Sequence, residues 1–138
     1  MKRITLKGHG TAGKTEGIAL VSNESMSFMS DVDYLTGRVV NEKHDLYGEN
    51  VKDKILIFRS AKGGTGTAMR IPEMVKIGTA PRGIINQIAN PPVVEAAIMG
   101  GIPLVDRLDK DPIELIQTGD FVIIQADTGT VIVEKHVN

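Results

Sequence analysis

The sequence contains no cysteine and no tryptophan in 138 residues. Without cysteine, the chain can form no disulfide and cannot hold an iron–sulfur cluster through thiolates. Its three histidines, His9, His44 and His136, lie far apart in the sequence and are flanked by no ligand pattern, which argues against a self-contained zinc site. We therefore predict no metal site in this chain.

The sequence also lacks a charge excess of either sign, because Lys plus Arg number 16 and Asp plus Glu number 17. Nucleic-acid-binding proteins usually carry a basic excess or a basic stripe, so this balance argues against that class. No apolar run approaches the roughly 20 residues of a membrane span, and the basic start lacks the apolar stretch of a secretory signal. These features predict a cytoplasmic protein that binds neither nucleic acid nor membrane.

Aromatic residues are scarce, at 4%, whereas hydrophobic residues as a whole reach 41%. The core must therefore consist mainly of Ile, Val, Leu, Ala and Met side chains. A chain of this length suits one domain and can bury roughly two thirds of its unfolded surface. We predict a single domain over residues 1–138.

Apolar patterns in the first half predict two strands, at residues 2–7 and 17–22. The glycine-rich stretch between them, residues 8–13, indicates a flexible hairpin turn. Residues 23–50 are polar and predict a long loop, which in a compact domain is usually functional. We expect its few apolar residues to hold it against the domain: Met26, Phe28, Leu35, Val39 and Val40.

In the second half, predicted strands alternate with predicted helices. Strands are predicted at residues 55–58, 83–86 and 102–105, helices at 68–77 and 93–99, one or two helical turns at 112–117, and a hairpin of residues 121–125 and 130–135. Strands that alternate with helices pair in parallel through right-handed crossovers, whereas flanking hairpins add antiparallel pairs. The pattern predicts a layered, mixed α/β domain.

Residues 8–15 match the spacing of a phosphate-binding loop, and Asp106 after the 102–105 strand could serve as its magnesium-side partner. Such a loop binds phosphate only when it leads into a helix. Here Lys14 and Thr15 lead into a strand-like apolar run. A nucleotide site is therefore our least favoured alternative.

A second glycine-rich loop, residues 60–67, follows the 55–58 strand and precedes a predicted helix. Its glycines let backbone amides approach a carboxylate or phosphate, and an anion can bind where such a loop enters a helix. A tight connection whose Ser and Thr residues only cap the helix is the alternative, and both interpretations stay open.

We interpret the charged residues 106–111, after the last central strand, as a solvated loop with local ion pairs.

Ten segments, spread in order along nearly the whole chain, form a longer pattern. They are Gly17-Ile18-Ala19-Leu20-Val21-Ser22, Ser25-Met26-Ser27-Phe28, Asp31-Val32-Asp33, Thr36-Gly37-Arg38, residues 44–48, Lys54-Ile55-Leu56-Ile57-Phe58, Ala80-Pro81-Arg82-Gly83-Ile84-Ile85-Asn86, Gly101-Ile102-Pro103-Leu104-Val105-Asp106, Thr118-Gly119-Asp120 and Gly129-Thr130-Val131. Together they resemble the small subunit of aconitase X. The coverage makes this resemblance far more specific than any single motif.

The resemblance implies a swivelling β/β/α domain with a mixed sheet, short crossover helices and flanking hairpins. It also implies a large partner subunit that carries an iron–sulfur cluster and most of the substrate site, so that this chain holds no cofactor itself. Members of the family dehydrate hydroxy acids, among them cis-3-hydroxy-L-proline and phosphomevalonate. The implied function is the small subunit of a hydro-lyase that acts on a small hydroxy acid only together with the large subunit.

In archaeal members of the family, the loop after the strand that matches residues 55–58 ends in Gly-Arg/Lys-Gly-Ser, and its serine accepts a proton. Lys62 and Gly63 match this pattern, whereas the serine position falls on Gly64. The resemblance thus implies that Lys62, Gly63 and Gly64 bind substrate. The catalytic candidates are the nearby hydroxyl residues Ser60, Thr65 and Thr67. The departure at Gly64 also supports an alternative function, a binding or regulatory domain without catalysis.

Overall fold

The computed structural model describes residues 1–136 of the chain, except for the side chain of Thr65. Within that part, ten strands form, most of them where apolar residues alternate or run together. They are β1 (Lys2–Lys7), β2 (His9–Gly10), β3 (Lys14–Val21), β4 (Val32–Asp33), β5 (Arg38–Val39), β6 (Ile55–Phe58), β7 (Gly83–Asn86), β8 (Leu104–Asp106), β9 (Phe121–Gln125) and β10 (Thr130–Lys135).

Eight of these strands form one sheet in the order β1-β10-β9-β3-β6-β7-β8-β2, and β4 pairs with β5 in a separate hairpin. Strands β3, β6, β7 and β8 run parallel to one another, whereas the other pairs are antiparallel. Only Gly8 separates β1 from β2, so one stretch of chain pairs with both edges and closes the sheet. The predicted mixed sheet is confirmed.

The predicted hairpin turn at residues 8–13 is wrong, because β1 pairs with β10 and β2 pairs with β8. Here the chain passes from one edge of the sheet to the other, close to other backbone segments, and this close approach requires glycine at two positions. A Cβ atom on Gly8 would lie 2.4 Å from the carbonyl oxygen of Asp106, and one on Gly10 would lie 2.0 Å from that of Ala126. The glycines therefore permit a close backbone crossing rather than a reversal of the chain.

Alternate residues of β6 face two separate cores, because successive side chains of a strand point to opposite faces. Ile55 and Ile57 belong to an inner core that the closed sheet surrounds. Leu56 and Phe58 belong to an outer core beneath the helices. The inner core consists of Leu6, Ala19, Ile55, Ile57, Ile85, Val105, Ile116, Val122, Ile124, Ala126, Val131 and Val133. The domain thus has the layered β/β/α arrangement that the family resemblance implies.

Four short helices complete this part of the chain: α1 (Thr65–Ala68), α2 (Arg70–Ile77), α3 (Pro91–Gly100) and α4 (Pro112–Leu115). Helices α2 and α3 end at Gly78 and Gly101, whose left-handed φ angles of 94° and 70° suit glycine. The helix predicted at residues 68–77 is observed as α1 and α2, so α1 begins inside the predicted 60–67 loop. No helix within residues 1–136 has the length and apolarity that a bilayer crossing needs.

Residues 23–50, the 23–50 segment, fold against the outer core and contain the β4–β5 hairpin. Its buried apolar side chains include Met26, Phe28 and Val39, as predicted. Leu35 and Val40 contradict the prediction, because they are 59% and 47% exposed. Val40 follows the buried Val39 in extended chain and so faces the other way, whereas Leu35 lies in the turn between β4 and β5.

The nucleotide-site alternative is wrong. Lys14 and Thr15 lie in β3, and their neighbours in the sheet are residues of β9. Residues 8–13 therefore lead into a strand and not into a helix. Helix amides that could surround a phosphate are missing at this point of the described chain.

Candidate active site

The carboxyl ends of β3, β6, β7 and β8 meet at one edge of the sheet. In α/β proteins with parallel strands, whether the sheet is open or closed, ligands commonly bind at the carboxyl ends of the strands. Here β6 ends and leads through residues 59–64 into α1. Four of the predicted site residues lie on this connection, namely Ser60, Lys62, Gly63 and Gly64, and a fifth, Thr67, lies in α1. The side chain of Thr65, the sixth, lies outside the described part.

Ser60 lies where the connection leaves β6, and the 23–50 segment holds it there. The amide of Met26 donates to the Ser60 carbonyl at 3.1 Å, and the amide of Lys62 donates to the Met26 carbonyl at 2.8 Å. The hydroxyl oxygens of Ser60 and Ser25 lie 3.2 Å apart, and both residues are half-buried. The start of the loop therefore presents a hydrogen-bonded pair of hydroxyl groups.

The buried side chain of His44 bonds to the backbone of Ser25, one of the two residues of this hydroxyl pair. Its Nδ1 accepts the amide of Leu46 at 3.1 Å, which assigns the proton to Nε2, and Nε2 donates to the Ser25 carbonyl at 3.0 Å. Glu24, His44 and Asp45 bring atoms that could bind a metal within 4.8 Å of one another. However, these atoms serve internal hydrogen bonds, such as that from the Asp45 amide to Glu24 at 2.9 Å. We interpret the cluster as structural.

Lys62 forms an ion pair with a buried carboxylate. Its Nζ lies 3.5 Å from Oδ2 of Asp31, whose side chain is 1% exposed. The same carboxylate accepts hydrogen bonds from the Asn41 amide group and the Ser27 backbone amide, both at 2.7 Å. Burial opposes ionisation, but these hydrogen bonds and the charge of Lys62 outweigh it and lower the pKa of Asp31. Asp31 thus connects the 23–50 segment to the loop as a carboxylate.

The two glycines of the loop differ in the space around them. Gly63 has a left-handed φ of 89°, and a Cβ atom there would lie 2.6 Å from the Thr67 hydroxyl, so this position requires glycine. A Cβ atom on Gly64 would meet nothing within 4 Å. The amides of Gly63 and Gly64 donate to no acceptor among the described residues. They are therefore available to an anion, and Gly64 has room for a side chain.

Two buried carbonyl oxygens lie at the same edge of the sheet. Within the described part of the chain, Oδ1 of Asn86 and Oδ1 of Asn90 have no hydrogen-bond partner. The Asn86 amide group is oriented by its bond to the Phe58 carbonyl at 3.1 Å. Asn86 therefore bonds to the last residue of β6, immediately before the candidate site begins.

Sequence reasoning assigned no role to Ser25, Asp31 or Asn86. A weak signal exists for Asn86, because it ends an otherwise apolar strand. Ser25 and Asp31 stand in a polar stretch that offers no such contrast. Their importance comes from the pairing of Met26 with Ala61, which brings the 23–50 segment beside the loop.

Comparison with known proteins agrees with this architecture. The family model described as aconitase X swivel domain matches residues 5–133. The chain is 43% identical to the phosphomevalonate dehydratase small subunit of Methanocella arvoryzae over 93% of this chain and 98% of that protein. It is 41% identical to the subunit of the same name from Thermococcus sibiricus, over 96% of this chain and all of that protein.

A solved structure shows the same fold. The crystal structure of Thermococcus kodakaraensis aconitase X superposes with a TM-score of 0.89 at 35% identity, covering 96% of this chain and 99% of that chain. The predicted swivel fold and the predicted kinship with small subunits of a dehydratase are confirmed. By sequence and by structure, the chain belongs to the aconitase X swivel domain family.

Proposed function

We propose that this chain is the small subunit of a hydro-lyase that dehydrates phosphomevalonate or a closely similar hydroxy acid. The proposal rests on the alignment of this chain with small subunits that bear the name phosphomevalonate dehydratase. The alignments extend over nearly the full length of this chain and of those subunits. A protein named as a small subunit implies a larger one, so we expect activity only in the two-subunit complex. We further propose that residues 1–138 act as one domain of that complex.

An iron–sulfur cluster, which the family resemblance implies, does not fit the residues of this chain. The chain has no cysteine to supply thiolates, and both ring nitrogens of His44 already take part in hydrogen bonds. We therefore propose that any cluster lies in the large subunit.

The contribution of this chain is proposed to be substrate binding and proton transfer. Loss of water from a hydroxy acid breaks a C–H bond and the C–O bond on the neighbouring carbon, forms a C=C bond and releases water. A carboxylate of the substrate would bind beside Lys62 to the amides of Gly63 and Gly64, which donate to no acceptor among the described groups. These donors would also stabilise the negative charge that develops on the substrate when the proton leaves.

Ser60 is our first candidate for the group that receives the proton. A neutral serine hydroxyl is a weak base and needs an activating neighbour. Ser25, whose hydroxyl oxygen lies 3.2 Å away, can share a hydrogen bond with Ser60 but is no stronger a base. Activation would therefore have to come from the loop amides and from Lys62, which belongs to the same short loop. Thr67 is less suitable, because its hydroxyl lies over Gly63. Thr65 remains a candidate on sequence position alone.

The test is co-production of this chain with the large subunit of its own organism, followed by an assay of water loss from phosphomevalonate and from cis-3-hydroxy-L-proline. We expect turnover only in the complex and only with the phosphorylated acid. Replacement of each candidate hydroxyl by Ala should then identify the proton acceptor, through a loss of about 100-fold or more in kcat for one of the three variants. The variants are Ser60→Ala, Thr65→Ala and Thr67→Ala.

One observation favours the second candidate function, a binding or regulatory domain without catalysis. Gly64 occupies the position of the serine that the family pattern places in this loop. If the complex forms and binds phosphomevalonate but does not dehydrate it, the non-catalytic function is correct. If no complex forms with the large subunit, the dehydratase function is wrong and a stand-alone binding domain is favoured.

A further inference from the structure

Three residues form a row across the carboxyl ends of the parallel strands. The amide of Gln87 donates to the Arg59 carbonyl at 3.1 Å, and the amide of Arg107 donates to the Gln87 carbonyl at 3.0 Å. Arg59 follows β6, Gln87 follows β7 and Arg107 follows β8. This row places Arg107 on the same edge of the sheet as the 60–67 loop, two strands away.

Arg107 has a strained backbone and an exposed side chain. Its φ of 51° is left-handed, a conformation that costs an ordinary side chain roughly 1–2 kcal/mol relative to the right-handed region. Its side chain is 62% exposed, and its Nε lies 3.7 Å from Oδ2 of Asp106. That oxygen already accepts the Ala89 amide at 2.8 Å. The ion pair is therefore loose and leaves most of the guanidinium group accessible.

We infer that Arg107 binds the phosphate group of the substrate and determines the preference for a phosphorylated acid. This inference rests on the proposed function. Two strand spacings of about 4.8 Å separate the ends of β6 and β8 by about 10 Å. In extended phosphomevalonate, six bonds separate the carboxylate carbon from the phosphorus, a distance of about 7–8 Å. The loop leaves the end of β6 and runs beside Met26, on the β3 side. A substrate held at the loop would therefore extend from there towards β8, and the long side chain of Arg107 would have to span the remaining distance.

Other cations at this edge are less suited to the phosphate. The Nε of Arg59 donates to the Asn23 carbonyl, which directs that side chain toward β3 and away from β8. Lys62 is paired with Asp31 at 3.5 Å. Lys110 is exposed and lines a cavity together with the carboxylate of Asp111. Arg107 alone of these residues combines a strained backbone with a guanidinium group, whose planar donors match phosphate oxygens in pairs.

Steady-state kinetics of the assembled two-subunit enzyme test the inference. Arg107→Gln should raise the KM for phosphomevalonate about 10- to 100-fold, the effect of losing a charge-assisted hydrogen-bond pair, and should leave kcat within about threefold. Any residual turnover of unphosphorylated mevalonate should not change. Arg107→Lys, which keeps the charge but not the paired donors, should give an intermediate KM.

Control variants separate this role from a general effect of charge or folding. Arg82→Gln removes an exposed arginine beside the amino end of β7, and Lys110→Gln removes the neighbouring cation; both should leave KM unchanged. Arg107→Gly removes the guanidinium group but relieves the left-handed strain. It should therefore raise Tm and still raise KM, which excludes misfolding as the cause.

Two results would overturn the inference in an active enzyme: an unchanged KM in both Arg107→Gln and Arg107→Gly, or a rise in KM in Lys110→Gln alone. If the complex does not act on phosphomevalonate at all, the proposed function fails first. Titration of the chain with inorganic phosphate, followed by NMR of the arginine Nε–H groups, then decides the inference separately. A saturable shift of Arg107 would retain the anion site, and the absence of such a shift would reject it.

Discussion

Removal of the Asp31 carboxylate should destabilise the domain strongly, because this group connects the 23–50 segment to the candidate site. Asp31→Ala removes the acceptor of two hydrogen bonds, from Asn41 and from Ser27, each at 2.7 Å. Hydrogen bonds to a charged group contribute about 1.5–3 kcal/mol each. Relief of the buried charge offsets part of this sum, so we expect a net loss of about 3 kcal/mol, within the range for broken buried ion pairs.

Urea unfolding followed by far-ultraviolet circular dichroism measures this loss. With an m value of about 1–3 kcal/mol per molar urea, the midpoint should fall by about 1–3 M. Glu42→Ala is the matched control, because Glu42 lies in the same segment, is exposed, and makes no hydrogen bond or ion pair among the described residues. Equal midpoints for Asp31→Ala and Glu42→Ala would refute the reasoning.

The same carboxylate predicts a pH dependence with a definite sign. The pKa of Asp31 is lowered in the folded state, relative to about 3.9 in the unfolded chain. The folded state therefore binds this proton less readily, and the stability that the group contributes is fully present above the unfolded pKa. It is lost as the pH falls through the folded pKa. The stability difference between the natural chain and Asp31→Ala should thus be constant above about pH 5 and should shrink below about pH 4.

Three further predictions concern other parts of the molecule. Gly10→Ala should destabilise the domain by about 3 kcal/mol or more, because its Cβ would lie 2.0 Å from the Ala126 carbonyl oxygen. The control variant Gly66→Ala should unfold at an equal or higher urea concentration than the natural chain, because its Cβ would meet nothing within 4 Å. Gly64→Ser should leave the urea midpoint nearly unchanged, because the added side chain has open space. If a hydroxyl at this position accepts the proton, this variant should raise kcat of the complex at least about tenfold, and an unchanged kcat would place proton transfer at another residue. Ile57→Ala should cost about 2–5 kcal/mol in urea unfolding, since the side chain is fully buried in the inner core, and a loss below about 1 kcal/mol would contradict the assigned packing.

Local patterns in the sequence predicted most of the central elements correctly. The apolar run of β6, the short strand β7 and the glycines after α2 and α3 are signals that extend over only a few residues. The β9–β10 hairpin also follows from neighbouring residues, because the 3₁₀ turn at Ala126–Thr128 ends at the left-handed Gly129. Such features depend on backbone sterics and side-chain alternation, which the sequence records directly.

The predictions that failed depend on partners distant in the sequence. Residues 8–13 resemble a turn because glycines are flexible. In the structure, however, Gly8 and Gly10 allow β2 to pair with β8 and the backbone to pass close to Ala126, which follows β9. The exposure of Leu35 and Val40 depends on which face of the β4–β5 hairpin meets the outer core. A single sequence does not reveal which of two faces is covered.

For the site, the sequence by itself determined the family, the absence of thiolate ligands and the loop that carries Ser60, Lys62 and the two glycines. Only the tertiary structure decided how that loop is held. The ion pair between Lys62 and Asp31 joins residues far apart in the chain, and the row that ends at Arg107 joins three strand ends. These contacts arise because parallel strands align their carboxyl ends at one edge of the sheet, whatever the length of chain that connects them.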